Sequence, residues 1–139
     1  MHKKEGVATS KSCDDNACTW VFGLPDADGK AREDAQVSVL FPKKTMTVDE
    51  VKNAYVRGPK GVFGNAEWKK NGVAGGNPAM PWLQEVTSFE AGEDRVGRVL
   101  VGDGDAGAFR IIEYMKRDDL DAMRPLIQAI YVNWRTETK

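Results

Sequence analysis

The sequence predicts an α+β domain: a mainly antiparallel sheet with one short helix and a long C-terminal helix packed on it. Three observations carry this prediction. Short runs of β-branched and aromatic residues recur between Gly, Pro and Asp clusters, as strands joined by turns do. A Thr-x-x-Glu box opens a brief segment with helical spacing. The C-terminal segment carries apolar residues on one helical face, which needs a sheet or another helix to cover it.

Residues 1–17 are polar and turn-rich and read as an N-terminal arm, leaving 18–139 as one α+β domain. The first apolar run, Thr19 to Leu24, reads as a strand ended by Pro25. The charged segment with Asp28-Gly29 is a turn, and Gln36 to Phe41 gives a second strand stopped by Pro42. Thr47 and Glu50 form the capping box, and Val48, Val51 and Tyr55 fall at helical spacing, so a short helix is expected over 48–56. From Gly58 to Pro81 glycine and proline break any period, which marks a long connection, with Val62 to Trp68 readable as a short strand or helical turn. Strands are expected at 83–89, 95–102 and 108–115, the last two joined as a hairpin through Asp103 to Gly107. Leu120, Met123, Ile127, Ile130, Tyr131 and Trp134 share one helical face, with Asp118 or Asp119 as N-cap and Pro125 in the first two turns.

Composition narrows the function. Lys plus Arg is 20 against 21 Asp plus Glu, so no strong field points to nucleic acid or an anionic membrane as partner. No stretch approaches the roughly 18 apolar residues of a helical membrane span, so the protein is not expected to span a membrane by helices. His2 is the only histidine, which argues against Ser-His and Cys-His nucleophiles and histidine metal sites, and no cofactor is expected.

Cys13 and Cys18 lie in the polar segment SCDDNAC, where a disulfide would anchor the arm to the strand that follows. Two free thiols in a cytosolic protein, or a redox or metal pair, are the competing readings, though the spacing is not C-x-x-C. A disulfide implies an oxidising compartment, hence a periplasmic or secreted protein whose leader was removed and whose Met1 was added back, with the cytoplasm as the alternative.

Several motifs fail on context. Gly102 to Gly107 satisfies G-x-G-x-x-G, but Phe109 to Ile112 continues as a strand where a dinucleotide site needs a helix. Gly23 to Lys30 has the wrong glycine spacing for a phosphate loop, and Ala31 replaces the metal-binding hydroxyl. Asp26 to Gly29 resembles the start of an EF-hand loop without its later ligands. Asp118, Asp119 and Asp121 suit the positive end of a helix, and Glu113 is expected to pair across strands with Arg98 or Arg110 on the solvent side of the sheet. Core packing does not obviously require the aromatic content of the glycine-rich region. Phe63, Trp68 and Trp82, with Lys69, Lys70, Asn71 and Asn77, have the composition of a recognition surface, the alternative being that Trp68 and Trp82 pin the connection to the core.

Two segments, AQVSVLFPKKTMTVDEVKNAYV and GAFRIIEYMKRDDLDAMRPLIQAIYVNW, resemble the strand-into-capped-helix and the last strand, acidic turn and final helix of the PsbP-like group. That group also includes the Ran-release factors and the DcrB-like bacterial proteins. The resemblance implies an α/β/α sandwich. It also implies a non-enzymatic binding or assembly role and, for several bacterial members, export. The cysteine loop and the glycine-rich connection have no counterpart in it, and no functional residue carries over. The expected function is therefore a non-catalytic protein-binding factor, such as an exported inhibitor, immunity or assembly protein, whose partner is another protein. A small-molecule or lipid carrier with a pocket between sheet and helix is the alternative, and a carboxylate enzyme comes third.

Overall fold

The computed structural model describes residues 7–57, 68–74, 81–91 and 94–132, with residues 57, 68–74, 91, 131 and 132 as backbone alone. Among these residues seven strands form one sheet: β1 (Ala8–Cys13), β2 (Ala17–Pro25), β3 (Ala31–Pro42), β4 (Trp68–Ala74), β5 (Leu83–Ala91), β6 (Arg95–Gly104) and β7 (Gly107–Lys116). Their spatial order is β1-β2-β3-β7-β6-β5-β4, and all neighbours are antiparallel. The sheet is thus two meanders joined where β3 pairs with β7. Among the described residues two α-helices, α1 (Val48–Lys52) and α2 (Leu120–Val132), complete the α+β fold predicted from the sequence.

Strand alternation sorts the side chains onto two faces, and each helix takes one. On the α2 face Val37, Val39, Leu100, Phe109, Ile111 and Met115 pack with Met123 and Leu126. On the α1 face Phe89, Val99, Val101 and Ala108 pack with Val51 and Val56. The capping box is present: the Glu50 amide donates to Thr47 Oγ1 at 3.1 Å, and the Thr47 amide donates to Glu50 Oε1 at 2.8 Å. A π-helical turn, Asn53–Arg57, follows α1. Its wider winding brings residues five apart toward the same side, which lets Val51 and Val56 both face the sheet.

The structure differs from the sequence reading in four places. Residues 8–13, expected as irregular arm, form an edge strand because β2 offers a complete ladder and the turn at Asp14 closes tightly onto it: Asp14 Oδ1 accepts from the amides of Asn16 and Ala17. Residues 68–74, expected largely as connection, form the opposite edge strand against β5. Leu120 is 43% exposed whereas Leu126 is buried, so the apolar face of α2 is rotated from the one read in the sequence. At about 100° per residue, Leu126 lies nearer than Leu120 to the centre defined by Met123 and Ile130. Finally, Glu113 is on the α2 face and only 2% exposed, not on the solvent side, although it does pair with Arg98.

The remaining turns follow their local chemistry. Asp26 Oδ1 accepts from the amides of Asp28 and Lys30, folding the EF-hand-like residues into the β2–β3 turn. The glycine-rich hexapeptide is the β6–β7 hairpin, where Gly107 takes a φ of 108° that a side chain rarely adopts.

Candidate functional site

β2 and β3 place Trp20, Phe22, Val39 and Phe41 on the α2 face by simple alternation: Trp20 is opposite Val39, and Phe22 opposite Val37. Val39 is buried, Trp20 and Phe22 are half-buried, and Phe41 is 37% exposed. Together these four side chains line an open depression of about 290 Å³ on the sheet. Phe41 leans on the buried Phe109 ring, with centroids 5.4 Å apart, and Trp82 meets the same ring from the other side at 5.6 Å. An aromatic row therefore runs from the depression into the core. Lys11 on β1 sits with its Nζ 4.9 Å from the centre of the Trp20 ring, which places a cation on the rim.

Cys13 and Cys18 form a disulfide across the β1–β2 pair. The Asp14 carboxyl in the turn beside it is held below its ordinary range by the Asn16 and Ala17 amides.

Of the residues the sequence nominates for recognition, Trp82 is half-buried and packs on Phe109, and its carbonyl accepts from the Asp103 amide at 2.8 Å. Trp68, Lys69 and Lys70 lie in β4, opposite Ala91, Glu90 and Phe89 of β5. Phe63 and Asn77 lie outside the described residues. The aromatic depression was not nominated. Its signal was present in Trp20 and Phe22 at i, i+2 and in Val37, Val39 and Phe41 at the same spacing, but the exposure of that stripe depends on where α2 lies.

Charged groups gather elsewhere. A cleft of about 580 Å³ at one end of the sheet is lined by Lys30, Arg32, Asp34, Arg95 and Tyr114 among others. Arg32 bridges Asp34 at 2.9 Å and Asp119 at 2.6 Å, so the residue just before α2 is tied to the start of β3. The Arg32 hydrogen bond holds the Asp34 carboxyl below its ordinary range. Arg95 Nη1 donates to the Tyr114 hydroxyl at 3.1 Å. Under α1, Arg110 Nη1 donates to the Tyr55 carbonyl at 2.9 Å, and burial lowers the guanidinium pKa to about 10, so it stays charged at neutral pH. Arg32, Arg95 and Arg110 are thus held by carboxylates, a phenol and a helix-end carbonyl. Among the described residues no group of three or more His, Cys, Asp or Glu side chains is placed to hold a metal ion.

Among the described residues no helix is long and apolar enough to cross a membrane. Comparison with known proteins finds no matching family model, no matching curated protein and no matching solved structure.

Proposed function

We propose that this chain is a non-catalytic protein-binding factor and that the Trp20–Phe22–Val39–Phe41 depression is its docking surface. The observation that carries the reading is an open depression lined, among the described residues, by apolar side chains, three of them large aromatics. Large rigid aromatics supply contact area at little cost in rotamer freedom, which suits them to anchor a partner's apolar side chain. The depression is open and, among the described residues, is lined by strands, which favours a protein surface over the enclosed ligand that a carrier would hold. The disulfide supports an oxidising compartment, and so an exported inhibitor, immunity or assembly protein of the kind the PsbP-like resemblance suggests.

The test is affinity capture from the envelope fraction of the native organism, using the wild type, the Trp20→Ser/Phe41→Ser double variant and Trp68→Ala. One stoichiometric protein captured by wild type and lost from the double variant, at a temperature where circular dichroism shows the double variant still folded, is the expected result. Loss from Trp68→Ala alone would move the surface to the edge strand β4. Recovery of a lipid or small molecule in place of a protein would favour the carrier.

A further inference from the structure

The disulfide and the aromatic depression lie on the same face of the sheet. Cys18 stands two residues before Trp20 on β2 and pairs in register with Phe41 on β3. Alternation therefore puts the Cys18 side chain beside those of Trp20 and Phe41. From Cys18 the disulfide reaches outward to Cys13 at the end of β1, the strand that carries Lys11 over the Trp20 ring. The covalent link and the cation on the rim are thus borne by one six-residue strand.

Among the described residues that strand has little else to hold it. Thr9, Ser10, Lys11, Ser12 and Cys13 are all exposed, and only Ala8, with Val7 just before it, packs inward. Among the described residues β1 is at the sheet edge and pairs with β2. An edge pairing without an apolar face is marginal in water, and such segments open at low free energy. Closing the short loop between Cys13 and Cys18 favours the paired state by a factor on the order of 30. The disulfide is therefore placed to decide whether β1 stays in register.

We propose that the Cys13–Cys18 disulfide is a redox clasp on the aromatic depression: its reduction by a dithiol releases β1 from β2 and lifts Lys11 from Trp20 while the rest of the sheet stays folded. The step is a two-electron exchange. One thiolate of the reductant attacks one sulfur, the other leaves as a thiolate and takes a proton, and the second reductant thiol resolves the mixed disulfide. The products are two cysteine thiols on the protein and a cyclic disulfide of the reductant. The oxidised form presents the depression with its β1 flank fixed, and the reduced form loses that preorganisation and binds more weakly. The functional part of this inference rests on the protein-binding reading, whereas the structural part does not.

Amide exchange and indole NMR on the full chain, with and without dithiothreitol, test it. The Asp14 amide donates to the Ala17 carbonyl, so ladder alternation puts the amides of Ser10, Ser12, Thr19 and Val21 in the β1–β2 hydrogen bonds. Reduction should speed their exchange on the order of 30-fold, leave Leu100 and Ile111 unchanged, and shift the Trp20 indole signal, assigned with Trp20→Phe. The Cys13→Ser/Cys18→Ser variant should show the same pattern without reductant. Unchanged exchange in β1 overturns the clasp, as does faster exchange throughout the sheet. Faster exchange with an unmoved Trp20 indole breaks the link to the depression. If exchange and indole both respond but neither redox form captures a protein, the binding reading falls and the clasp stands.

Discussion

Met123→Ala and Leu120→Ala, made separately, should divide sharply, although the sequence places both residues on one helical face. Met123 is 0% exposed and packs among Val37, Leu100, Phe109, Ile111 and Leu126, whereas Leu120 is 43% exposed. Truncating Met123 removes three heavy atoms from a filled space. At about 0.8 kcal/mol for each methylene-sized group, plus a term for the cavity left behind, the loss is about 3 kcal/mol. For a chain of 139 residues the melting entropy makes this a fall of about 10 °C in Tm. Leu120→Ala should cost less than about 1 kcal/mol, because much of that side chain already meets water. Urea melts followed by far-UV circular dichroism, with calorimetry for Tm, give both numbers. Equal costs in the two variants, or a loss below about 1 kcal/mol for Met123→Ala, would refute the orientation of α2 on the sheet.

Two further outcomes follow from local chemistry. Because Arg32 depresses the Asp34 pKa below its unfolded value near 3.8, Asp34 stabilises the fold above that pH, and the contribution is lost as pH falls through the folded pKa. Asp34→Asn should therefore flatten the fall in Tm on acidification below the unfolded pKa near 3.8, and an unchanged acid limb in a pH series of thermal melts would contradict the Arg32–Asp34 bond. Gly97→Ala should abolish folding or cost several kcal/mol, since its Cβ would overlap the Glu113 carbonyl oxygen and the Phe89 ring. A wild-type denaturation midpoint for that variant would contradict the close approach of β6 to β7.

The five strands with apolar runs were legible because each alternates or is bounded by Gly, Pro or Asp, and α1 was legible because its capping box is a local signal. β1 was not. ATSKSC has no apolar stripe, and it is a strand only because β2 and the disulfide hold it there. β4 was largely hidden for a related reason: Lys69, Lys70 and Gly72 are residue types that suit an edge strand, and the ladder shifts register between Lys70 and Gly72. The rotation of α2 was out of reach because periodicity bounds an apolar face but only the partner surface sets its centre. For the candidate site, the stripe in β2 and β3 could be read from the sequence. Its partial exposure could not, since that depends on where α2 crosses the sheet.

The bidentate pair between Arg98 and Glu113, at 2.6 and 2.8 Å, bears on how the hairpin finds its alignment. The two residues are directly opposite in β6 and β7, and Glu113 is buried beside Val37 on the third strand. Were β6 to slide by one residue, Arg98 would turn to the other face and its ion pair with the buried Glu113 would break, at a cost of about 3–5 kcal/mol. A run such as RVGRVLVG, in which valines occupy both faces, offers little apolar contrast between neighbouring alignments. The ion pair supplies the missing contrast by making the misaligned hairpin expensive, so a charged pair in the wall of an apolar core selects one pairing of two strands among several of similar hydrophobicity.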